Sequence, residues 1–224
     1  MKKGGSLFLR SKVTISKATI DRLPLYFRTL RMSQEAGKEI ISSEELGKTL
    51  DVTPEQIRKD LASFGQFGKK GVGYFVRELT RNISEILGLQ YHFNIAVVGV
   101  GHLGAALANY QNIGSLGFRV VALFDSDPEL KGKVINGVKV ESMSSLVQSV
   151  KEKNVNIGII AVPATHAQMV ADKLVAGGVD GIWNFAPVRI NVPPNVQIIH
   201  EDLSIGLSSL SYHIARNMVK NIDE

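Results

Sequence analysis

The stretch FNIAVVGVGHLGAALANY, residues 93–110, decides the fold of the second part of this chain. An apolar run at 95–98 passes directly into Gly99-Val100-Gly101-His102-Leu103-Gly104, and a helix-prone run of small apolar residues follows. This is G-x-G-x-x-G in the setting that gives the pattern meaning: a strand, a tight turn and a helix. Gly99 permits the sharp turn, Gly101 lets a pyrophosphate approach the backbone, and Gly104 lets the helix lie close on the strand. The start of that helix offers free N–H groups and the positive end of its dipole to phosphates.

Working outward towards the C-terminus, a second strand at 119–124 ends in Asp125, beside Ser126. The acid stands about 20 residues past the last glycine, where a dinucleotide-binding unit needs a carboxylate on the adenosine ribose. That charge repels a 2′-phosphate, so NAD(H) is expected rather than NADP(H). Further strands at 157–162 and 181–185 alternate with helical stretches, the pattern of a parallel sheet with covered faces. Their ends carry Val162-Pro163 and Asn184-Phe185-Ala186-Pro187, with no Lys or Arg before Arg189. A neutral pocket there penalises the positive charge of the oxidised nicotinamide ring and so favours NADH over NAD+. The candidate cofactor contacts are therefore the six residues of the glycine loop, Asp125, Ser126, Val162, Pro163 and residues 184–187. A Rossmann-like sheet that holds coenzyme A, or nothing, is the competing reading.

Towards the N-terminus the texture and the charge both change. Residues 1–89 hold 16 Lys and Arg against 10 Asp and Glu, whereas residues 90–224 hold 10 against 11, so the net charge of +5 lies in the first part. A basic part beside a neutral one suits a polyanionic partner for the basic part alone. Helical spacing of Ile20, Leu23, Tyr26, Phe27 and Leu30 predicts a first helix at 20–31. Ser42 with Glu45 forms a capping-box pattern ahead of Leu46 and Leu50. After Asp51-Val52, Thr53 as N-cap and Pro54 at the first helical position start another helix that Gly65 stops. Two short helices around a tight turn make a helix-turn-helix, and FGQFGKKGVGYFV (64–76) supplies the hairpin of a winged helix.

The second of these helices turns Ile57 and Leu61 inward and offers Gln56, Arg58, Lys59 and Ser63 to base edges or phosphates. Ser43, Thr53, Lys69, Lys70, Gly71 and Tyr74 complete the expected contacts with double-stranded operator DNA. A winged helix that binds only protein is the alternative.

Several classes are excluded or disfavoured. The chain has no cysteine, so a redox sensor built on its own thiols, a disulfide scaffold and a thiolate metal site are ruled out. The basic opening MKKGGSLFLRSK lacks an apolar segment and a cleavage pattern, and no apolar run is long enough to span a bilayer. A cytoplasmic location without membrane attachment is expected. A small NAD-dependent dehydrogenase would need an oriented proton donor. Of the five histidines only His166 falls near the nicotinamide side, with no carboxylate apparent to orient it. The expectation is a cofactor site without catalysis and without a metal. Ile205, Leu207, Leu210, Ile214 and Met218 form the apolar stripe of a last helix, which suits a homodimer reading palindromic DNA.

With these residues in view, the chain resembles the redox-sensing transcriptional repressors called Rex. The likeness runs through SSEELG (42–47), VTPEQIRKDLASFGQFGKKGVGYFV (52–76), VGVGHLGAALANY (98–110) and WNFAPV (183–188), that is, over almost the whole length. The resemblance implies a homodimer that NADH closes and releases from DNA, while NAD+ competes and leaves it bound. It also implies that Arg22, Tyr110 and Asp202 exchange partners between the two states, with Tyr110 near the nicotinamide. From the residues alone these three read as a helix-surface arginine, a core-edge tyrosine and a helix-capping aspartate. The family often has Arg at the place of His102 and sometimes an aromatic residue at that of Leu203. The expected fold class is α/β. Its parts are a winged-helix domain at 1–80, a linker helix at 81–92, a Rossmann domain at 93–203, and a dimerisation helix at 204–224, domain-swapped between subunits.

Overall fold

A computed structural model describes residues 15–69 and 71–220, and the chain separates into two compact units, Met1–Tyr91 and His92–Glu224.

The first unit runs α1 (Lys17–Glu35), β1 (Ile40–Ile41), α2 (Ser43–Leu50), α3 (Pro54–Ala62), β2 (Gly68–Lys69), β3 (Gly73–Phe75) and α4 (Val76–Ile86). The start signals work as the sequence leads one to expect. The Ser42 hydroxyl accepts from the Glu45 N–H at 3.1 Å, and the Glu45 carboxylate accepts from the Ser42 N–H at 3.0 Å. Thr53 caps α3 by accepting from the Gln56 N–H at 3.2 Å, with Pro54 opening the helix. Asp51 takes the left-handed conformation, φ 54°, that turns the chain between α2 and α3. β1 and β2 flank β3 in an antiparallel sheet. Leu23, Tyr26 and Leu30 of α1, Leu46 of α2, Ile57 and Leu61 of α3, and Leu79 and Ile83 of α4 meet in one core. Each such side chain, fully buried, contributes about 1.5–3 kcal/mol of transfer free energy.

Two expectations are corrected here. Ile20, placed on the apolar face of the first helix, is exposed, since the buried face of α1 is Thr19, Leu23, Tyr26 and Leu30. Of the segment expected as a linker helix at 81–92, residues 81–86 belong to α4, which begins at Val76 and packs Leu79 and Ile83 into the first core, and residues 87–92 are not helical; the units divide between Tyr91 and His92.

The second unit contains β4 (Phe93–Val98), α5 (His102–Ala108), α6 (Gln111–Ser115), β5 (Phe118–Asp125), β6 (Val134–Ile135) and β7 (Val138–Ser142). It continues through α7 (Leu146–Glu152), β8 (Ile157–Ile160), α8 (Ala164–Gly177), β9 (Gly181–Asn184), β10 (Gln197–His200) and α9 (Leu203–Lys220). The sheet order is β10-β9-β8-β4-β5-β7-β6, parallel except for the β6–β7 pair. From β7 to β10 this is the doubly wound dinucleotide-binding order, whose switch point lies between β4 and β8. Ala96, Val98, Ala122, Phe124, Ile160 and Leu174 are among the residues that fill one face of the sheet; Val97, Leu123 and Ile159 pack on the other.

Three strands of this unit fall outside the sequence expectations. β6 and β7 form a hairpin on Asn136-Gly137, both at positive φ (49° and 75°), a two-residue turn whose sign favours Asn-Gly. β10 is an edge strand with Ile199 largely exposed. α9 carries the anticipated stripe, yet Ile205, Leu207, Leu210, Ile214 and Met218 are all exposed on the single chain. Among the described residues, no helix is long and apolar enough to cross a membrane.

Candidate dinucleotide site and DNA-recognition face

The glycine loop separates the three glycine roles by distance. A Cβ on Gly104 would stand 1.8 Å from the Gly99 carbonyl oxygen, so α5 rests directly on the end of β4. Gly99, at φ 87°, would bring a Cβ within 2.5 Å of the Ala161 carbonyl oxygen at the end of β8, across the switch point. At Gly101 nothing lies within 4 Å of the same position. Two glycines are thus closed by the fold, and the third opens onto space that a pyrophosphate can take. No side chain caps the start of α5, where Gly101 precedes the exposed His102 and Leu103. These features fit a dinucleotide.

Asp125 closes the loop from the other side. Its Oδ2 accepts from the Val100 N–H at 2.7 Å, and Oδ1 accepts from the Asp127 N–H at 2.9 Å. The carboxylate expected on a ribose therefore also ties β5 to the glycine turn. Ser126, Pro163 and Pro187 are exposed, while Val162 and Phe185 are half-buried. Trp183 and Phe185 lie 4.6 Å apart between ring centres.

Asn184 takes a different place from the one expected of a contact residue. It is fully buried, and its amide nitrogen donates to the carbonyls of Val188 at 2.8 Å and Ala186 at 3.1 Å, while its Oδ1 accepts from the Ala186 N–H at 3.1 Å. Asn184 shapes residues 184–188 from beneath, and Ala186 is buried with it. His166 is exposed and exchanges a hydrogen bond with the Thr165 hydroxyl at 3.0 Å; among the described residues no carboxylate orients it. A recess of about 380 Å³ beside Tyr110 is lined by Ala106, Asn109 and Gln111. A second, of about 470 Å³ along β5 and β7, contains none of the expected cofactor residues. Among the described residues, no cluster of three or more His, Asp or Glu could hold a metal ion.

On the first unit the expected recognition helix is α3. Lys59 is exposed. Arg58 is half-exposed and already engaged: it donates to Glu55 at 2.7 Å, to the Ser43 hydroxyl at 2.7 Å and to Glu44 at 3.2 Å. Ser43 is buried beneath it, and Ser63 returns its hydroxyl to the Lys59 carbonyl at 3.1 Å. The wing turns from Lys69 to Val72 with Gly71 at φ 80°, and Lys69 lies 5.3 Å from the centre of the Phe75 ring. Lys70 lies outside the described residues. Tyr74 is corrected: it is a core residue, because β3 turns it into the same buried cluster as Leu46 and Ile57 and presents Phe75 outward. Burial pushes its phenol above the usual range.

The residue that sequence reasoning passed over is Asp60. Its carboxylate is almost wholly buried and accepts five hydrogen bonds. Arg22 donates twice, at 2.6 and 2.8 Å, Tyr26 at 2.7 Å, Gln56 at 2.8 Å and Thr19 at 3.1 Å. Burial alone would raise the carboxyl; the donors, Arg22 foremost, outweigh it and hold it at about 2. The same network raises Arg22, and burial followed by the Asp60 bond raises Tyr26. A charge at this depth is sustained only by such complete pairing. Its sequence signal is weak, since Arg22 and Thr19 lie 38 and 41 residues away.

Of the remaining expected residues, Tyr110 precedes α6 and is 56% exposed. Asp202 precedes α9, where Oδ1 accepts from the Ser204 hydroxyl at 2.6 Å and its N–H at 2.9 Å, which hold the carboxyl below the usual range.

Comparison with known proteins places both units. The family described as "CoA binding domain" matches residues 90–188, and "Putative DNA-binding protein N-terminus" matches residues 14–62. The chain is 46% identical over 199 residues to the redox-sensing transcriptional repressor Rex of Roseiflexus sp. (strain RS-1), covering 89% of this chain and 90% of that one. It is 47% identical over 202 residues to the Rex of Syntrophobacter fumaroxidans, covering 90% and 96%. Among solved structures, it is similar to the repressor RSP in complex with β-NAD+ and operator DNA, at 38% identity and TM-score 0.87, over 95% and 98% of the two chains. RSP in complex with β-NADH gives 36% identity and TM-score 0.86, over 95% and 100%.

Proposed function

The chain belongs to the Rex family of redox-sensing transcriptional repressors, and we propose that its first unit grips palindromic operator DNA while NADH binding to its second releases that grip. It is a DNA-binding repressor rather than an enzyme. NADH and NAD+ are its two nucleotides, operator DNA its macromolecular ligand, and a second copy of itself its partner. Its place of action is the cytoplasm, where the operators are.

One observation supports this most strongly. In a chain that also carries a helix-turn-helix and wing, Gly99 and Gly104 are closed by the fold while Gly101 stays open. A dinucleotide laid there meets the N–H groups of residues 101–104 with its pyrophosphate and Asp125 with its adenosine ribose. The reduced ring then lies towards the neutral loops at Val162-Pro163 and 184–187, which Asn184 holds in shape. On the DNA side, Gln56 and Lys59 of α3, with Ser63 just after it, face the major groove, with Ser43 and Thr53 near the two helix starts and Lys69, Lys70 and Gly71 on the wing. Arg58 reaches phosphate by leaving Glu44 and Glu55. Winged helix, Rossmann domain and α9 divide as 1–91, 92–202 and 203–224. The exposed stripe of α9 is the surface that a second copy covers, by a swap between subunits, and Arg22, Tyr110 and Asp202 are the residues that change partners.

Coenzyme A is the second reading, favoured by the description of the matched family. Both are tested by selecting a duplex from a random pool with the chain and titrating the complex with NADH, NAD+ and coenzyme A. NADH is expected to release the DNA at much lower concentration than NAD+, with coenzyme A inert. Turning a nearly all-bound population into a nearly all-free one requires about 10⁴-fold differential affinity, some 5.5 kcal/mol. Equal effects of all three ligands, or none, overturn the proposal.

A further inference from the structure

We propose that Asp60 is a specificity-determining residue that never touches DNA: it fixes the orientation in which the recognition helix presents the Gln56 amide to a base. This rests on α3 being the helix that reads DNA.

An ionised carboxylate can only accept hydrogen bonds, whereas an amide has an NH₂ end with two donor hydrogens and a carbonyl end that only accepts. The Gln56 side chain meets Asp60 Oδ1 at 2.8 Å, so the end turned to Asp60 must be the NH₂ group. The orientation is settled by chemistry, because the reverse would set two acceptors against each other. Asp60 cannot relax to suit. Both its oxygens are held, Oδ2 by the Arg22 Nε and the Tyr26 hydroxyl, Oδ1 by Arg22 Nη2, Thr19 and Gln56. It stays ionised across the working pH range. Gln56 is only half-buried, one turn before Asp60 near the start of α3.

What remains to Gln56 is its carbonyl oxygen and the second N–H of its amide. A glutamine that reads adenine in the usual way donates one N–H to N7 and accepts from N6. Here one N–H is committed to Asp60, so the carbonyl oxygen and the other N–H are presented together in one fixed order. In the major groove the carbonyl oxygen pairs with an exocyclic amino group, which adenine and cytosine carry and guanine and thymine lack there, and of these two only adenine sets an acceptor, N7, beside it. The base facing Gln56 is therefore adenine.

The test uses the full chain and duplexes selected from a random pool. The wild-type chain should select a position at which adenine is preferred over the other three bases by about five-fold or more, the worth of at least one net hydrogen bond. Gln56→Ala should erase that preference at that one position. Asp60→Asn removes the obligate acceptor, lets the Gln56 amide turn over, and should flatten the same preference. Arg22→Lys keeps the carboxylate charged, so it should weaken binding overall while the preference stays. A role for Asp60 in holding the fold alone would move affinity in both variants and the preference in neither.

Far-ultraviolet circular dichroism reports folding of each variant. If Asp60→Asn does not fold, Gln56→Ala and Arg22→Lys decide: a preference lost in the first and kept in the second supports the inference. An unchanged preference in Gln56→Ala, or in folded Asp60→Asn, overturns it. Failure of the wild-type chain to select any duplex would instead sink the DNA-binding proposal itself.

Discussion

On α3 of the first unit, the polar groups that matter are side chains already bound to one another; at the glycine loop of the second they are backbone groups left open. Asp60 collects five donors, and Arg58 is shared among Ser43, Glu44 and Glu55. Around Gly101 there is only space. The helix α3 is thus held in a defined pose before any ligand arrives, as suits the fixed groove it is proposed to match. The cofactor site is defined by the absence of side chains, as suits a crevice that must admit a ligand and respond to it. The two should therefore fail differently when altered.

The largest effect is expected at Gly104. A methyl group 1.8 Å from the Gly99 carbonyl cannot be housed without moving α5 off β4. Gly104→Ala should cost the second unit about 3 kcal/mol and lower the midpoint of its thermal unfolding, followed by Trp183 fluorescence. An unchanged midpoint would mean that α5 has slack the distances deny.

Acid should find the charged clamp of the first unit next. The Asp60 carboxyl is depressed from 3.8 to about 2, so its stabilisation is complete above the unfolded value and is lost as pH falls through the folded one. Roughly 2 kcal/mol of first-unit stability should disappear between about pH 4 and pH 2, read by amide hydrogen exchange in α1 and α3. Asp60→Asn should abolish that step. An equal step in the variant would place its origin elsewhere.

Thr53→Ala removes the side-chain cap of α3 and should cost about 1 kcal/mol in the same exchange measurement. The smallest effect on stability belongs to Gly101→Ala, about 0.5 kcal/mol or less, since its φ is ordinary and nothing crowds it. The same substitution should weaken NADH binding by about ten-fold or more, because the methyl group occupies the approach of the pyrophosphate. Gly104→Ala and Gly101→Ala thus separate a glycine needed for packing from one needed for a ligand.

How much of this was legible depended on whether the cause was local. The caps at Ser42 and Thr53, and the glycine loop with its acid, are set by neighbours a few residues apart or by a spacing that geometry dictates, and they stand where the sequence puts them. The Asn136-Gly137 hairpin carries an equally local signal, masked by the βαβ alternation on either side of it. Asp60 and Tyr74 were different. On the helix pattern Asp60 is one more polar residue, and its burial is decided by α1. Tyr74 looks like a wing residue until β3 shows which of its alternating side chains faces inward. Asn184 likewise sits in a ligand-side motif but works beneath it. The lesson of these three is that a polar residue inside a functional motif can serve the motif from behind.

The central claim, that NADH acts on DNA affinity through the open glycine, is tested most directly by one paired titration. Wild-type chain and Gly101→Ala, each bound to the same selected duplex, are titrated with NADH while fluorescence anisotropy of the DNA is followed. The wild-type chain is expected to release the duplex, and Gly101→Ala to hold it at the same NADH concentration. Release from both at equal concentration, or from neither, would contradict the account.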